Sequence, residues 1–410
     1  MNKKHERLTP VLLGGDLNAY SMARSFFDAE GVTSEVFTRE KLAVTNLSSY
    51  INTHVVKELD DCNVAVPELQ SFAKSRGGET LLVPCADWYV EMLEYARDAL
   101  TGHFYFNIPR FELWRAVSDK SSFTELMDKY GIPHPKTEIF DCKLKDFQKR
   151  CINLTPPFVL KPSDSSEYWR HPFADMQKVY FLSSLDEVKR AGEKIFASGY
   201  SGKILVEEYI GGKTRLGKAT ASTLTVYMNK RAKAVRAVLG DVLLEELGPT
   251  SRGNYSAIVT RELDALSYSL ISMLESVKYT GIANFDMLSA GGESYCLELN
   301  PRQGRSSGYL RCAGVNLAEL LVADMRGEKI EPSFKYKNGV WRCVGKRTVQ
   351  KYSTEPSLLK KASELEREDS YTPEYDLKND KGIKRRVYLM MHMYRENKRY
   401  RRYTSESRNS

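Results

Sequence analysis

Between Gly281 and Ser307 the chain reads GIANFDMLSAGGESYCLELNPRQGRSS, and this stretch restricts the fold more than any other. Apolar and polar side chains alternate with a period of two over 281–288 and again over 295–300, while SAGGES between them is turn material, so the spacing predicts a hairpin. In the first strand Asn284 and Asp286 share a face and Phe285 and Met287 take the other. In the second, Glu298 and Asn300 share a face, with Leu297 and Leu299 opposite. Directly opposed residues in a regular antiparallel pair have a constant index sum. A two-residue turn at Gly291-Gly292 makes that sum odd and sets Asp286 opposite Leu297, so a shared polar face requires an odd-length connection or a bulge.

If the polar faces coincide, Asp286, Glu298 and Asn300 form a set of oxygen donors. Two carboxylates and an amide suit a hard divalent cation such as Mg²⁺, which takes its remaining oxygens from water and phosphates; with no His or Cys in the set, zinc is not expected. The alternative is a pair of polar edge positions facing solvent.

Around this hairpin there is room for two or three domains, since the chain has 410 residues, 42% of them hydrophobic and 28% charged. Near the N-terminus only Pro10-Val11-Leu12-Leu13 is continuously apolar before Gly14, too short for a signal-peptide core, and no run approaches membrane-spanning length. The expected location is cytoplasmic. Seven scattered cysteines show neither metal-ligand spacing nor the density of a disulfide scaffold. The net charge of +8 is concentrated at one end: residues 381–410 hold ten Lys/Arg and two Asp/Glu, leaving 51 of each sign in the rest.

Residues 9–15 read as a buried strand running into Gly14-Gly15, and Leu17 to Ala29 follows with helical spacing. Thr80 to Asp87 repeats the strand and loop, with Trp88 to Ala99 as its helix. This repetition predicts a parallel α/β domain with ligands beyond the carboxyl ends of the strands, at Gly14, Gly15, Asp16, Asn18 and Asp87; tight turns without ligand contact are the alternative. A helical stretch runs from Phe111 to Tyr130 and stops at Gly131-Ile132-Pro133. A strand then ends at Lys161, followed by a polar loop over 163–167, a helix over 185–198, a strand over 203–210 and two more around 220–227 and 232–239. Helices and strands in this order form an α+β cradle.

Asp286, Glu298-x-Asn300 and Pro301-Arg302 together resemble the metal-binding end of the ATP-grasp fold, whose enzymes join a carboxylic acid to an amine through an acyl phosphate. The resemblance implies an N-terminal Rossmann-like (pre-ATP-grasp) α/β domain over 1–112, an ATP-grasp domain over 113–328 and a C-terminal extension with a basic tail over 329–410. It implies ATP and one or two Mg²⁺ ions as cofactors. Lys120 and Lys161 match two lysines that hold the nucleotide phosphates, as point charges. Ser163, Ser165 and Ser166 offer hydroxyls and backbone N–H groups for an anion nest, and Glu207-Glu208-Tyr209-Ile210 resembles the hinge against adenine. The chain departs from the family in a loop poorer in glycine at 163–166, and in Lys213-Thr214-Arg215 where relatives carry an acidic ribose contact. Arg302 is the expected catalytic residue, offsetting charge at the tetrahedral centre; structural pairing with Glu298 or Asp286 is the alternative.

Four stretches are similar to one branch, the bacterial D-aspartate ligases of peptidoglycan cross-bridge synthesis: PVLLGGDLNAYSMARSF (10–26), the loop from Cys85 to Tyr89, KPSDSSEY (161–168), and FDM with LELNPRQGRSS (285–307). This implies transfer of D-aspartate, through its β-carboxylate, to the lysine ε-amine of a UDP-MurNAc-pentapeptide. The substrate residues implied are Gly15, Asp16, Asn18, Asp87, Arg302 and Ser306. The partners are a small-molecule amino acid and an anionic peptidoglycan precursor. Another acid or amine, or a non-catalytic nucleotide-binding regulator, are the alternatives. A nucleic-acid partner is not expected, because the body is neutral and no such motif is present. In the tail, Lys384-Arg385-Arg386 and Arg395 to Arg402 flank an apolar run at Val387–Met391 with Met393 and Tyr394. Such a helix docks by its apolar stripe and exposes its charges, or captures an anionic acceptor or touches a membrane surface weakly.

Overall fold

The computed structural model describes residues 7–141, 152–211, 219–248, 251 and 253–406; the side chains of Ser166, Ser405 and Glu406 lie outside that description. The first sheet consists of β1 (Leu8–Leu13), β2 (Ser34–Thr38), β3 (Ile51–Val55) and β4 (Glu79–Pro84), all parallel in the order β3-β2-β1-β4. Every residue of β1 is buried, as a central parallel strand covered on both faces must be. Its side chains alternate between two cores: Leu8 and Leu12 pack with Tyr20 and Phe26, whereas Val11 and Leu13 pack with Leu69, Tyr89 and Leu93. The first helix, Leu17–Glu30, starts where Asp16 accepts from the Asn18 N–H and ends at Gly31 in the left-handed region.

A smaller antiparallel sheet, β5 (Thr137–Asp141), β6 (Phe158–Pro162), β7 (Tyr180–Leu182) and β8 (Lys203–Glu208), has the order β5-β8-β6-β7. Helix Leu185–Ala197 covers it, burying Val188 and Ile195 with Leu160, Ile204 and Val206. The largest sheet is β13-β12-β9-β10-β11-β14-β15, built from β9 (Thr220–Met228), β10 (Ala234–Glu245), β11 (Tyr255–Arg261), β12 (Gly281–Ala290), β13 (Glu293–Asn300), β14 (Val340–Arg342) and β15 (Tyr371–Pro373). Leu224, Val226, Phe285 and Met287 face helix Ala265–Ser276, while Tyr227, Val238 and Ile258 face the core shared with the first domain.

Two local expectations change. The helix over 111–130 breaks into Phe111–Ser118 and Lys120–Lys129, because the Asp119 carboxylate accepts from the Ser122 N–H at 2.8 Å and restarts it. The polar loop after Lys161 contains a short helix, Ser165–Trp169, capped by Asp164 on the Glu167 N–H at 2.9 Å. The stretch past residue 328 supplies β14 and β15 and ends in the long helix Ile383–Glu406. That helix docks at both ends. Arg385 is fully buried, 2.9 Å from Asp380 and 4.5 Å from the Tyr20 ring centroid, and donates to the Val44 carbonyl. Near the other end Tyr400 donates to the Glu245 carbonyl at 2.8 Å and stacks on Tyr352. No helix among the described residues is long and apolar enough to cross a membrane.

Candidate active site

The hairpin β12–β13 turns in two residues, Gly291 and Gly292, whose φ values of 62° and 87° suit a turn matching the strand twist. With that turn the parity argument demands a bulge. Asp286 pairs with Glu298 and Asn284 with Asn300, while Met287 pairs with Cys296, so Leu297 is the inserted residue. Asp286, Glu298 and Asn300 therefore share a face. Asn284 is turned into the protein, its Oδ1 accepting from Thr223 and Thr225 at 3.2 and 2.8 Å. Asp286 stays nearer the surface, accepting from the Tyr255 hydroxyl at 3.1 Å and from Asn300 Nδ2 at 3.4 Å.

Burial, then the charge of Glu298, pushes the Asp286 carboxyl well above its usual range. Burial also opposes ionisation of Glu298, but the ammonium groups of Lys120, Lys178 and Lys161 outweigh it and hold that carboxyl low. Two opposed carboxyls that resist joint ionisation fit a hard cation that neutralises both, while Asn300 turns its Nδ2 toward Asp286 and its Oδ1 toward Arg302. Among the described residues no group of three His, Cys, Asp or Glu side chains is gathered, here or elsewhere.

Lys120 begins the helix that Asp119 caps, and its Nζ lies 3.0 Å from Ser165 Oγ and 3.9 Å from Glu298. Lys161, near the end of β6, is buried and pairs with Glu207 of β8 at 2.8 Å. Sequence reasoning missed Lys178, which sits just before β7 and acts on both Glu298 and Lys120. The nest expected after Lys161 is partly spent on internal bonds: the Ser163 N–H donates to the Lys203 carbonyl and the Asp164 N–H to the Tyr200 hydroxyl. At the hinge the Glu208 and Tyr209 N–H groups donate to the Lys136 and Pro157 carbonyls, the Glu208 carboxylate accepts from Thr155 N–H, and Ile210 is buried. The side chain of Ser166 and the stretch Lys213-Thr214-Arg215 lie outside the described residues.

Arg302 pairs with neither Glu298 nor Asp286. Its Nη2 donates to Asp87 at 2.8 Å and reaches Asn300 Oδ1 at 3.4 Å, joining the start of helix Asp87–Tyr95, just after β4, to the carboxylate hairpin. Asp16 reaches the surface, yet desolvation of its carboxyl outweighs Arg305 and Arg302 and holds it above the usual carboxylate range. Gly15, Asn18 and Ser306 are buried. A Cβ on Gly15 would lie 2.4 Å from Thr38 Oγ1. Asn18 Nδ2 bridges the Cys85 and Gln303 carbonyls at 3.0 and 3.1 Å. Asn18 Oδ1, Asp87 Oδ1, Arg302 Nε and Gln303 Oε1 are buried at this junction with no hydrogen-bond partner, which leaves polar groups there for a bound molecule to satisfy. Arg305 donates to Glu246, which also holds Arg399 of the C-terminal helix at 3.2 Å.

No protein-family model matches the chain. It is 29% identical over 405 residues to the D-aspartate ligase of Enterococcus faecium (strain Aus0004), covering 95% of each chain. Among solved structures it is similar to the biotin carboxylase domain of Hydrogenobacter thermophilus 2-oxoglutarate carboxylase, crystallised with MgADP, ADP and bicarbonate, at 15% identity and a TM-score of 0.62; the match covers 82% of this chain and 74% of that one. It is also similar to N5-carboxyaminoimidazole synthetase of Staphylococcus aureus complexed with ADP, at 14% identity and a TM-score of 0.60, covering 83% of each. The three-sheet architecture is the ATP-grasp fold of these solved structures, and the likeness to the D-aspartate ligase runs along nearly the whole chain.

Proposed function

We propose that the protein joins D-aspartate, through its β-carboxylate, to the lysine ε-amine of a UDP-MurNAc-pentapeptide in the cytoplasm, using ATP and one or two Mg²⁺ ions. The observation that carries this reading is the position of Arg302, held between Asn300 of the carboxylate hairpin and Asp87 of the N-terminal domain. An acid bound at that seam has its carboxylate beside both the guanidinium and the phosphate-binding lysines. The likeness to a D-aspartate ligase along nearly the whole chain supports the choice of acid.

Bound MgATP supplies the terminal phosphoryl group, which passes to a carboxylate oxygen with departure of ADP. The lysine amine then attacks the carbonyl carbon, phosphate leaves and the nitrogen gives up its proton. Asp286, Glu298 and Asn300 hold the metal. Lys120, Lys161 and Lys178 provide positive charge for the phosphates, and Ser163, Ser165 and Ser166 line the loop beside them. Glu207 to Ile210 form the wall against the base. Arg302 orients the carboxylate and stabilises the oxyanion, which preorganised donors do most effectively in a site closed to water. Asp87 fixes the guanidinium, and Gly15, Asp16, Asn18 and Ser306 shape the acid's side of the seam. Residues 1–112, 113–328 and 329–410 serve as acid-binding domain, nucleotide-binding domain and extension.

The test is phosphate release from ATP and Mg²⁺ with a panel of D- and L-amino acids, with and without the muramoyl peptide. Release specific to D-aspartate and completed only with the peptide supports the reading; release driven by another acid reassigns the substrate, and none with any acid contradicts ligation.

A further inference from the structure

The C-terminal helix Ile383–Glu406 buries one side and leaves the other without a partner in the chain. Arg385, Leu389 and Tyr400 face the body. On the outer side Ile383, Val387, Met390, Met391 and Tyr394 are exposed, Ile383 by 84% and Tyr394 by 70%. Their spacing places them on one stripe along the first three turns. The apolar run therefore faces two ways, and its outward half exceeds what an isolated surface hydrophobe needs in explanation. Exposed Lys384, Arg386 and Arg395 flank the stripe, and exposed Lys398 and Arg401 continue its face toward the C-terminus. Among the described side chains of the helix the only carboxylate is Glu396, which is 15% exposed and paired with Arg399.

Beside this stripe an apolar groove of about 480 Å³ runs between the helix and β15, lined by Val344, Tyr371, Leu377, Leu389 and Met393. Met390 belongs to both surfaces and Arg386 lines the groove as well, so apolar area and positive charge are continuous.

We propose that this outer face docks on a membrane surface rich in anionic phospholipid, with the helix lying in the plane of the interface. An amphipathic helix with apolar residues on one side and Lys/Arg along its edges is held by burial of the stripe and by attraction to anionic headgroups. A second copy of the chain fits the surface poorly, because it would bring the same basic flanks together. A nucleic-acid backbone would answer the charge but leave the stripe in water. The helix is anchored through Arg385 and Arg399, so docking fixes the whole molecule rather than a loose tail.

The test is flotation of the full chain with vesicles of phosphatidylglycerol and phosphatidylcholine, or of phosphatidylcholine alone, at low and high salt. Binding is expected on the anionic vesicles at low salt, weakened about tenfold by the double variant Met390→Ser/Tyr394→Ser and by Lys384→Glu/Arg395→Glu. Both variants keep the wild-type melting temperature and acid-dependent phosphate release measured without lipid, which separates this proposal from the ligase reading. Absence of binding to anionic vesicles, equal binding to the neutral ones, or undiminished binding of both variants overturns it. So does a concentration-dependent dimer that the same variants dissociate, or loss of vesicle binding to competing duplex DNA.

Discussion

Two lysine–glutamate contacts meet at the proposed nucleotide site and differ in kind. Lys161 and Glu207 lie on neighbouring strands of the small sheet, 2.8 Å apart, with side chains 10% and 7% exposed. Lys120 and Glu298 come from a helix start and from the far sheet, 3.9 Å apart, with side chains 15% and 26% exposed. Strand register builds the first pair and completes it inside one lobe. The second pair crosses between lobes, and its glutamate also feels Asp286 and Lys178. The short buried pair ties Lys161 structurally besides placing its charge at the proposed phosphate site, whereas the long contact within a surplus of lysines gives Lys120 no comparable tie.

The largest effect should come from the open side of this comparison. Glu298→Ala is expected to lower turnover about a thousandfold, since metal and phosphate lose an anchor, with little change in the unfolding midpoint. Near-normal turnover would mean that Glu298 holds no metal. Arg302→Lys keeps the charge but loses the planar fork whose Nη1 donates to the Gln303 carbonyl while Nη2 reaches Asp87 and Asn300; turnover should fall about a hundredfold in steady-state assays. Full activity there would leave Arg302 a structural tie.

The two lysines can be set directly against each other. Lys120→Met should raise the apparent KM for ATP about tenfold while hardly moving stability. Lys161→Met strands a buried carboxylate and should cost about 3 kcal/mol in denaturant unfolding, with the Lys161→Met/Glu207→Gln double variant recovering part of that loss. Equal stability losses at both lysines would erase the distinction. The smallest effect is expected for Asp87→Asn, about fivefold on kcat/KM for the acid, with the ATP dependence unchanged.

Much of this site was legible because its logic is local. Strand alternation paired Asp286 with Glu298, and index parity required the bulge that appears at Leu297. Asp164 and Glu167 are spaced as a helix cap and its third residue, a signal for the short helix that the polar composition of the loop obscured. Other features had no local signature. The strands β14 and β15 are three residues each and pair in parallel across a long connection, so no period marks them. Lys178 lies in an irregular segment before β7, and only folding brings it to Glu298. The Arg302–Asp87 contact joins residues 215 positions apart, which is why pairing within the hairpin was the natural alternative from sequence. In the tail, helical spacing revealed the stripe, but which half of it met the body depended on where Arg385 and Tyr400 found their partners.

The central claim is that an acid is activated as an acyl phosphate at the seam between the carboxylate hairpin and the N-terminal domain. Hydroxylamine intercepts such a species directly. With ATP, Mg²⁺ and D-aspartate, the wild-type protein should yield the β-hydroxamate of aspartate in the absence of any amine acceptor, and Glu298→Ala should yield almost none. Absence of hydroxamate with every acid offered, or equal yields from the wild type and Glu298→Ala, would contradict it.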